Sequence, residues 1–259
     1  MAPPPPAQSA PSRPGRLVIL SGPSCVGKSP LERALAQLHP EHHRRLQPLV
    51  LYNSRDPRPG EIDGVHYHFR RRGVIEQLGT DPRHVVLDVR GDLQALDLDE
   101  LGGRLGAGDV FFEGNPFVGR ALQTHPGLGS TPRLSVFMAP LARDEIVLLR
   151  QPERQIALRD LVTDVMRRKL LRRTRRQKGE LSLRDLENIE RRAASAYDEL
   201  RFACHFTHVL PNHDGEDSEN WNAFPVPLGD AGKTLAAFVA LLEGRPPAGA
   251  EVWEPELIP

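Results

Sequence analysis

Leu17-Val18-Ile19-Leu20-Ser21 runs directly into Gly22-Pro23-Ser24-Cys25-Val26-Gly27-Lys28-Ser29. The second stretch fills every fixed position of G-x-x-x-x-G-K-[ST], a loop whose backbone N–H groups surround phosphate oxygens. The first reads as a short buried strand, and Leu31 to Leu38 reads as a helix leaving the loop. Strand, loop and helix is the order such a loop requires, because the unpaired N–H groups and the positive end of the helix must face the anion. Gly22, Pro23, Ser24, Cys25, Val26, Gly27, Lys28 and Ser29 are therefore expected to cradle a nucleotide, with Lys28 reaching the β and γ phosphates and Ser29 holding Mg²⁺. Pro30 is compatible with the helix, since an N–H in the first turn has no intrahelical partner to lose. Cys25 has two readings: a thiolate favoured by the helix start and Lys28, or a small residue that tolerates the loop geometry, which is the preferred one.

The kind of phosphate chemistry is indicated by Asn53-Ser54-Arg55-Asp56-Pro57-Arg58-Pro59-Gly60-Glu61-Ile62-Asp63-Gly64-Val65-His66-Tyr67-His68-Phe69. Arg55 and Arg58 stand three apart in a Pro- and Gly-restrained segment, so two guanidinium forks can converge on one dianionic phosphate while Tyr67 adds a hydroxyl donor. The segment resembles the guanylate kinase family, whose members carry T-T-R-x-P-R-x-G-E-x-x-G-x-x-Y-x-F. Both arginines, the Pro between them, Gly60, Glu61, Gly64, Tyr67 and Phe69 are kept, and Asn53 and Ser54 replace the two threonines. The resemblance implies an α/β P-loop kinase fold: a mainly parallel sheet flanked by helices, a small acceptor-binding insertion and a helical lid. It further implies phosphoryl transfer from ATP, with Mg²⁺, to a nucleoside monophosphate bound by Arg55, Arg58, Glu61 and Tyr67.

Beyond these two motifs the resemblance is looser. Val110-Phe111-Phe112-Glu113-Gly114-Asn115 is an apolar strand ending where the family has Asp-x-Asp, so Glu113 is expected beside the metal and Asn115 replaces the second carboxylate. Arg167 to Lys178 is strongly basic. Arginines that close over the γ phosphate stabilise the charge spread in transfer, and the family's lid spacing is met by Arg168 and Arg172, or equally by Arg172 and Arg176, with Arg192 on the following helix. Asn212, after the strand His208 to Leu210, matches the residue the family places beside adenine. The groups that read guanine are replaced: Val85, Gln94 and Leu96 stand at the glutamate, tyrosine and hydroxyl positions, and Leu51 replaces a further hydroxyl. Asp88 or Asp92 can supply a carboxylate if the register shifts. Without one, GMP is expected to be an unexceptional acceptor.

Composition sets the outer limits. The chain has 259 residues, is 39% hydrophobic and carries 34 basic and 34 acidic residues, so no global field favours nucleic acid or membrane as partner. The expected partner is a small nucleotide, met by a monomer or homodimer. No apolar run approaches the about 18 residues needed to cross a bilayer and no signal peptide is legible, which makes the cytoplasm the expected location. Two cysteines are too few for a disulfide framework or zinc site, and the ten histidines are scattered. Residues 1–15 read as a disordered proline-rich tail, 16–244 as the catalytic body, with the acceptor region at about 50–108 and the lid at about 150–192, and 245–259 as a tail. Two alternatives stay open: a kinase for another phosphorylated small molecule, or a binding module without turnover.

Overall fold

The protein is described by a computed structural model covering residues 15–57 and 60–259, so the proline-rich leader up to residue 14 and Arg58 lie outside the described residues. The expected parallel sheet is present. Strand β1 (Leu17–Ser21) is followed by helix α1 (Lys28–Leu38), a single turn α2 (Pro40–His43) and β2 (Leu46–Pro48). After the clamp segment come α3 (Arg72–Leu78), β5 (His84–Val89), β6 (Asp92–Asp97), α4 (Leu98–Ala107), β7 (Asp109–Gly114) and α5 (Pro116–Thr124), the short strands β3 (Tyr52–Asn53) and β4 (His68–Phe69) flanking the clamp. Strand β8 (Arg133–Ala139), α6 (Arg143–Leu149), α7 (Leu158–Lys178), α8 (Leu183–Ala194), α9 (Ala196–Leu200), β9 (His208–Pro211) and α10 (Gly229–Leu242) complete the chain.

Five strands form an all-parallel sheet in the order β2-β7-β1-β8-β9. A parallel strand covered on both faces must be apolar throughout, and all five residues of β1 are buried. The register sets Ser21 opposite Gly114 of β7 and Phe137 of β8, so the loop leaving β1 emerges at the carboxyl edge of the sheet, where strand order reverses and ligands bind in such folds.

The run Leu46 to Asn53 is divided between two sheets. Pro48 cannot donate to a ladder, so β2 ends there, and the chain crosses to a second sheet through Tyr52–Asn53. That sheet, β4-β3-β6-β5, pairs mostly antiparallel and closes a small core of Ile75, Leu93 and Ala95 under α3. Its β5–β6 hairpin turns on Arg90 (φ 59°) and Gly91 (φ 87°), the positive values that a two-residue turn of this hand requires.

The basic segment is helical. The antiparallel pair α7 and α8 is joined through Ser182, whose side chain accepts from Asp185 N–H while the Asp185 carboxylate accepts from Ser182 N–H. At Ser195 the following helix breaks and α8 gives way to α9.

Residues 245–259, expected as a tail, return to the body. Glu251 pairs with Val209 alongside β9, Trp253, Leu257 and Ile258 are buried, and Tyr197 Oη donates to the Pro259 carbonyl at 2.9 Å. Removing a buried Trp side chain typically costs 3–5 kcal/mol. Trp253→Ala is therefore expected to lower the melting midpoint by roughly 6–12 °C, taking about 3 kcal/mol and about 2–4 °C per kcal/mol for a domain of this size. A thermal melt showing an unchanged midpoint would mean that the segment is not part of the cooperative unit.

Candidate active site

The loop expected to hold phosphates is a buried structure braced from beneath. Gly22 lies at φ 151° and Gly27 at φ 112°; a Cβ at Gly22 would fall 2.4 Å from the Met138 carbonyl oxygen, and one at Gly27 2.5 Å from Asn212 Nδ2. Both fixed glycines are thus required by close backbone approach as well as by φ. Lys28 Nζ donates to the carbonyls of Gly22 (2.9 Å) and Pro23 (3.0 Å), curling the loop around its own ammonium group. Burial lowers the Lys28 pKa, and the carboxylates of Glu113, Glu216 and Glu199 oppose that shift.

Ser29, in the first turn of α1, donates to Glu113 Oε2 at 3.4 Å across the end of β7. Burial pushes the Glu113 carboxyl up to about 7 against the opposing charge of Lys28, with Glu32 and Glu216 adding to the rise. A hydroxyl and a carboxylate oxygen beside the loop lysine form a donor set that suits a hard cation such as Mg²⁺. The expected pairing of Ser29 with Glu113 is thereby brought together. Asn115 serves elsewhere: its side chain caps α5 by accepting from Phe117 N–H and donates to Glu199.

Across the cleft, Arg55 donates through Nη1 and Nη2 to the two oxygens of Glu61, each at 2.6 Å, and its guanidinium lies 5.2 Å from the Tyr67 ring centre and 5.3 Å from that of Phe69. Three of the four expected acceptor residues therefore meet in one cluster, and the fourth, Arg58, lies outside the described residues. Asp88 is exposed, and its Oδ1 accepts from Gly91 N–H within the β5–β6 turn. Val85 packs against the main core and Leu96 is buried within it, so neither presents a polar group to a base.

Of the expected lid arginines, the structure brings Arg192 onto the loop, with Nε donating to Ser24 Oγ at 2.9 Å. Arg168 instead donates to the carbonyl of Asp164 on its own helix, and Arg172, with 68% of its side chain exposed, reaches Asp217 only at 3.5 Å. Helical periodicity explains the difference. Positions 162, 166, 169 and 170 of α7 are buried, which turns Lys169 and Arg173 inward and leaves 168 and 172 about 100° away. Arg173 Nη1 donates to Glu216 at 2.8 Å, Glu216 N–H donates to the Cys25 carbonyl, and Lys169 Nζ donates to the His213 carbonyl at 2.7 Å. Burial would raise the Glu216 pKa, but Arg173 prevails and holds it below the usual range. Arg173 and Glu216 were not legible as site residues. Their only signal is an acidic pair, Glu216-Asp217, in a loop facing a basic helix.

Asn212, fully buried, donates through Nδ2 to the carbonyls of Val26 and Asp214, both at 2.7 Å, and so braces the loop. Cys25 occupies φ 69°, a conformation uncommon for residues other than glycine, and is buried. Burial and the neighbouring Glu216 push its thiol up to about 12. The preferred reading of Cys25 as an unreactive residue fits this setting.

Comparison with known proteins follows the same segment. Residues 14–83 match the guanylate kinase family model. A guanylate kinase of Mycobacterium bovis is 48% identical over 74 residues, covering 29% of this chain and 34% of that protein. One of Synechococcus sp. (strain JA-3-3Ab) is 52% identical over 68 residues, covering 25% and 30%. A crystal structure of guanylate kinase from Anaplasma phagocytophilum is similar with a TM-score of 0.49 at 14% identity over 89% of this chain and 85% of that one. The chain thus spans about a third of the length of the curated relatives it matches. The sequence likeness to guanylate kinases is confined to the segment that holds the phosphate loop and the clamp.

Two measurements check the site. Because the Glu113 carboxyl is raised in the folded protein, its contribution to stability is full below about pH 4.5 and lost as pH rises toward about 7. In EDTA, the melting midpoint of the wild type relative to Glu113→Gln should therefore rise between pH 7.5 and pH 5; parallel curves would contradict the raised pKa. At pH 8 the folded protein should leave Cys25 unmodified by iodoacetamide and label it only after unfolding, as read by peptide mass spectrometry. Labelling of Cys25 in the folded state would overturn its assignment as a buried thiol.

Proposed function

We propose that this protein transfers the γ phosphoryl group of ATP to the phosphate of a nucleoside monophosphate, with GMP the acceptor that the family resemblance favours. The observation that carries the reading is the Arg55–Glu61–Tyr67 cluster, a rigidly held guanidinium beside a phenol, set within the same short stretch as a complete phosphate loop.

The loop amides and Lys28 would bind the ATP phosphates, the ammonium exchanging its carbonyl partners for phosphate oxygens. Ser29 and Glu113 would hold Mg²⁺, which when bound neutralises charge on the β and γ phosphates. Arg55, Arg58 and Tyr67 would hold the acceptor phosphate, and Glu61 fixes the fork of Arg55 so that little side-chain freedom is lost on binding. Arg192, already on the loop at Ser24, stands to meet charge developing on the transferring group. The acceptor phosphate is an anion when it attacks, so the scheme needs no general base.

An assay of ATP-dependent diphosphate formation over GMP, AMP, CMP, UMP and their deoxy forms tests the reading directly, and no product with any of them would refute it. Lys28→Ala should reduce turnover by more than about a hundredfold, equivalent to about 3 kcal/mol of transition-state stabilisation, while the melting curve still reports a folded protein. Arg55→Lys, which keeps the charge but loses the fork, should raise the acceptor KM about tenfold and leave that for ATP nearly unchanged. Equal effects on both substrates would place Arg55 outside the acceptor site.

A further inference from the structure

At the inner end of the acceptor region, Arg90, Asn115, Ser195 and Glu199 form a polar cluster that the phosphate loop and clamp do not account for. Glu199, on α9, is 0% exposed. Its Oε1 accepts from Arg90 Nε at 2.6 Å, from Arg90 Nη2, from Asn115 Nδ2 at 3.2 Å and from Ser195 Oγ at 2.8 Å. Its Oε2, equally buried, has no partner among the described residues. A buried carboxylate oxygen left unpaired costs about 1–3 kcal/mol or more, so four donors crowded on one oxygen beside an empty twin is an arrangement that calls for a donor from outside.

The location says which outside molecule. Asn115 follows the carboxyl end of β7, where Gly114 pairs with Ser21 immediately before the phosphate loop. Arg90 arrives from the opposite side, on the hairpin of the acceptor sheet, held at a positive φ that its side chain makes costly. The charges of Glu199 and Arg90 both act on the Lys28 ammonium. The cluster therefore lies where acceptor and donor halves of the cleft meet. Of the three positions at which the family resemblance would supply base-reading groups, those of the glutamate and the hydroxyl hold Val85 and Leu96, which offer no hydrogen bond, and the third holds Gln94, a buried amide with no carboxylate to replace the glutamate.

We propose that Glu199, oriented by Arg90 and Asn115, reads the acceptor nucleotide in this protein, its free oxygen accepting one hydrogen bond from the exocyclic amine of the base or from the 2′-hydroxyl of the ribose. The proposal rests on the phosphotransferase reading above and deepens it. Arg90 and Asn115 act here as positioning residues, and Ser195 fixes the carboxylate from the N-terminal cap of α9.

The test uses the full chain and Glu199→Gln, which keeps the shape but weakens the acceptor, with Arg90→Lys as a milder second variant. Calorimetric binding and steady-state kinetics are measured with GMP, IMP, which lacks the exocyclic amine, and dGMP, which lacks the ribose 2′-hydroxyl. The expected result is a loss of about tenfold or more in GMP affinity and kcat/KM in Glu199→Gln with the ATP KM within about twofold of wild type. One analogue should also bind wild type weakly and lose no more in the variant, which identifies the donor. Arg90→Lys should show the same selective loss at smaller size. GMP, IMP and dGMP losing equally in Glu199→Gln, or a lowered melting point with unchanged acceptor constants, would overturn the proposal by marking the cluster as structural. Should the wild type bind GMP without phosphorylating it, the calorimetric pattern still decides this inference while the kinase reading fails separately.

Discussion

The site depends on holding a polar loop open at the buried edge of a parallel sheet. Residues 22–28 leave the sheet at its most apolar strand, and their N–H groups are useful only if they stay turned toward the cleft. The protein meets this by tying down the carbonyl side of the loop. Asn212 takes the Val26 carbonyl, Glu216 N–H takes that of Cys25, and Lys28 takes those of Gly22 and Pro23. Asn212 is fixed in turn through Asp214, whose carbonyl also accepts from Trp221 Nε1 and whose carboxylate caps the start of α10. Distant elements at the carboxyl end thus set the shape of a loop near the amino end.

Charge is distributed to match. Lys28, Arg173 and Arg192 lie against Glu113 and Glu216, so burying the cations leaves no large uncompensated field. Within this balance two groups are poised unusually: a lysine whose pKa is lowered by burial and a carboxyl raised to about 7. Under the function proposed above, phosphate oxygens beside Lys28 and a divalent cation beside Glu113 would favour the charged forms of both groups and so oppose these shifts.

The sequence disclosed the fold's central feature and the clamp because each is local: strand, loop and helix are contiguous, and Arg55, Glu61 and Tyr67 lie within one short segment. Glu113 was legible because an apolar strand ended in a carboxylate. Arg192 meets the loop as expected, while Arg168 and Arg172 face away from it, since a run as basic as Arg167 to Lys178 lacks the apolar contrast that reveals which face turns inward. Arg173, Glu216 and Glu199 were missed because their meaning arises from contacts across the fold, 43 residues apart for Arg173 with Glu216 and 109 for Arg90 with Glu199. The end of the chain read as a tail because Trp253, Leu257 and Ile258 are too sparse to show a period.

The position of β1 has a consequence for how the protein comes into being. It is the first strand among the described residues, yet it ends at the centre of the sheet, and both of its neighbours, β7 and β8, are encoded far downstream. Arg16 illustrates the span, pairing with Asp109 93 residues later and donating to the Leu242 carbonyl 226 residues later. During synthesis the Leu-Val-Ile-Leu run must therefore wait, unpaired and apolar, for roughly 5–20 s while the chain through β7 is added at 5–20 residues per second. Contacts of such separation are formed late and slowly. The phosphate loop is written early in the chain, whereas the residues that brace it, Asn212 and Glu216, are added only near the carboxyl end.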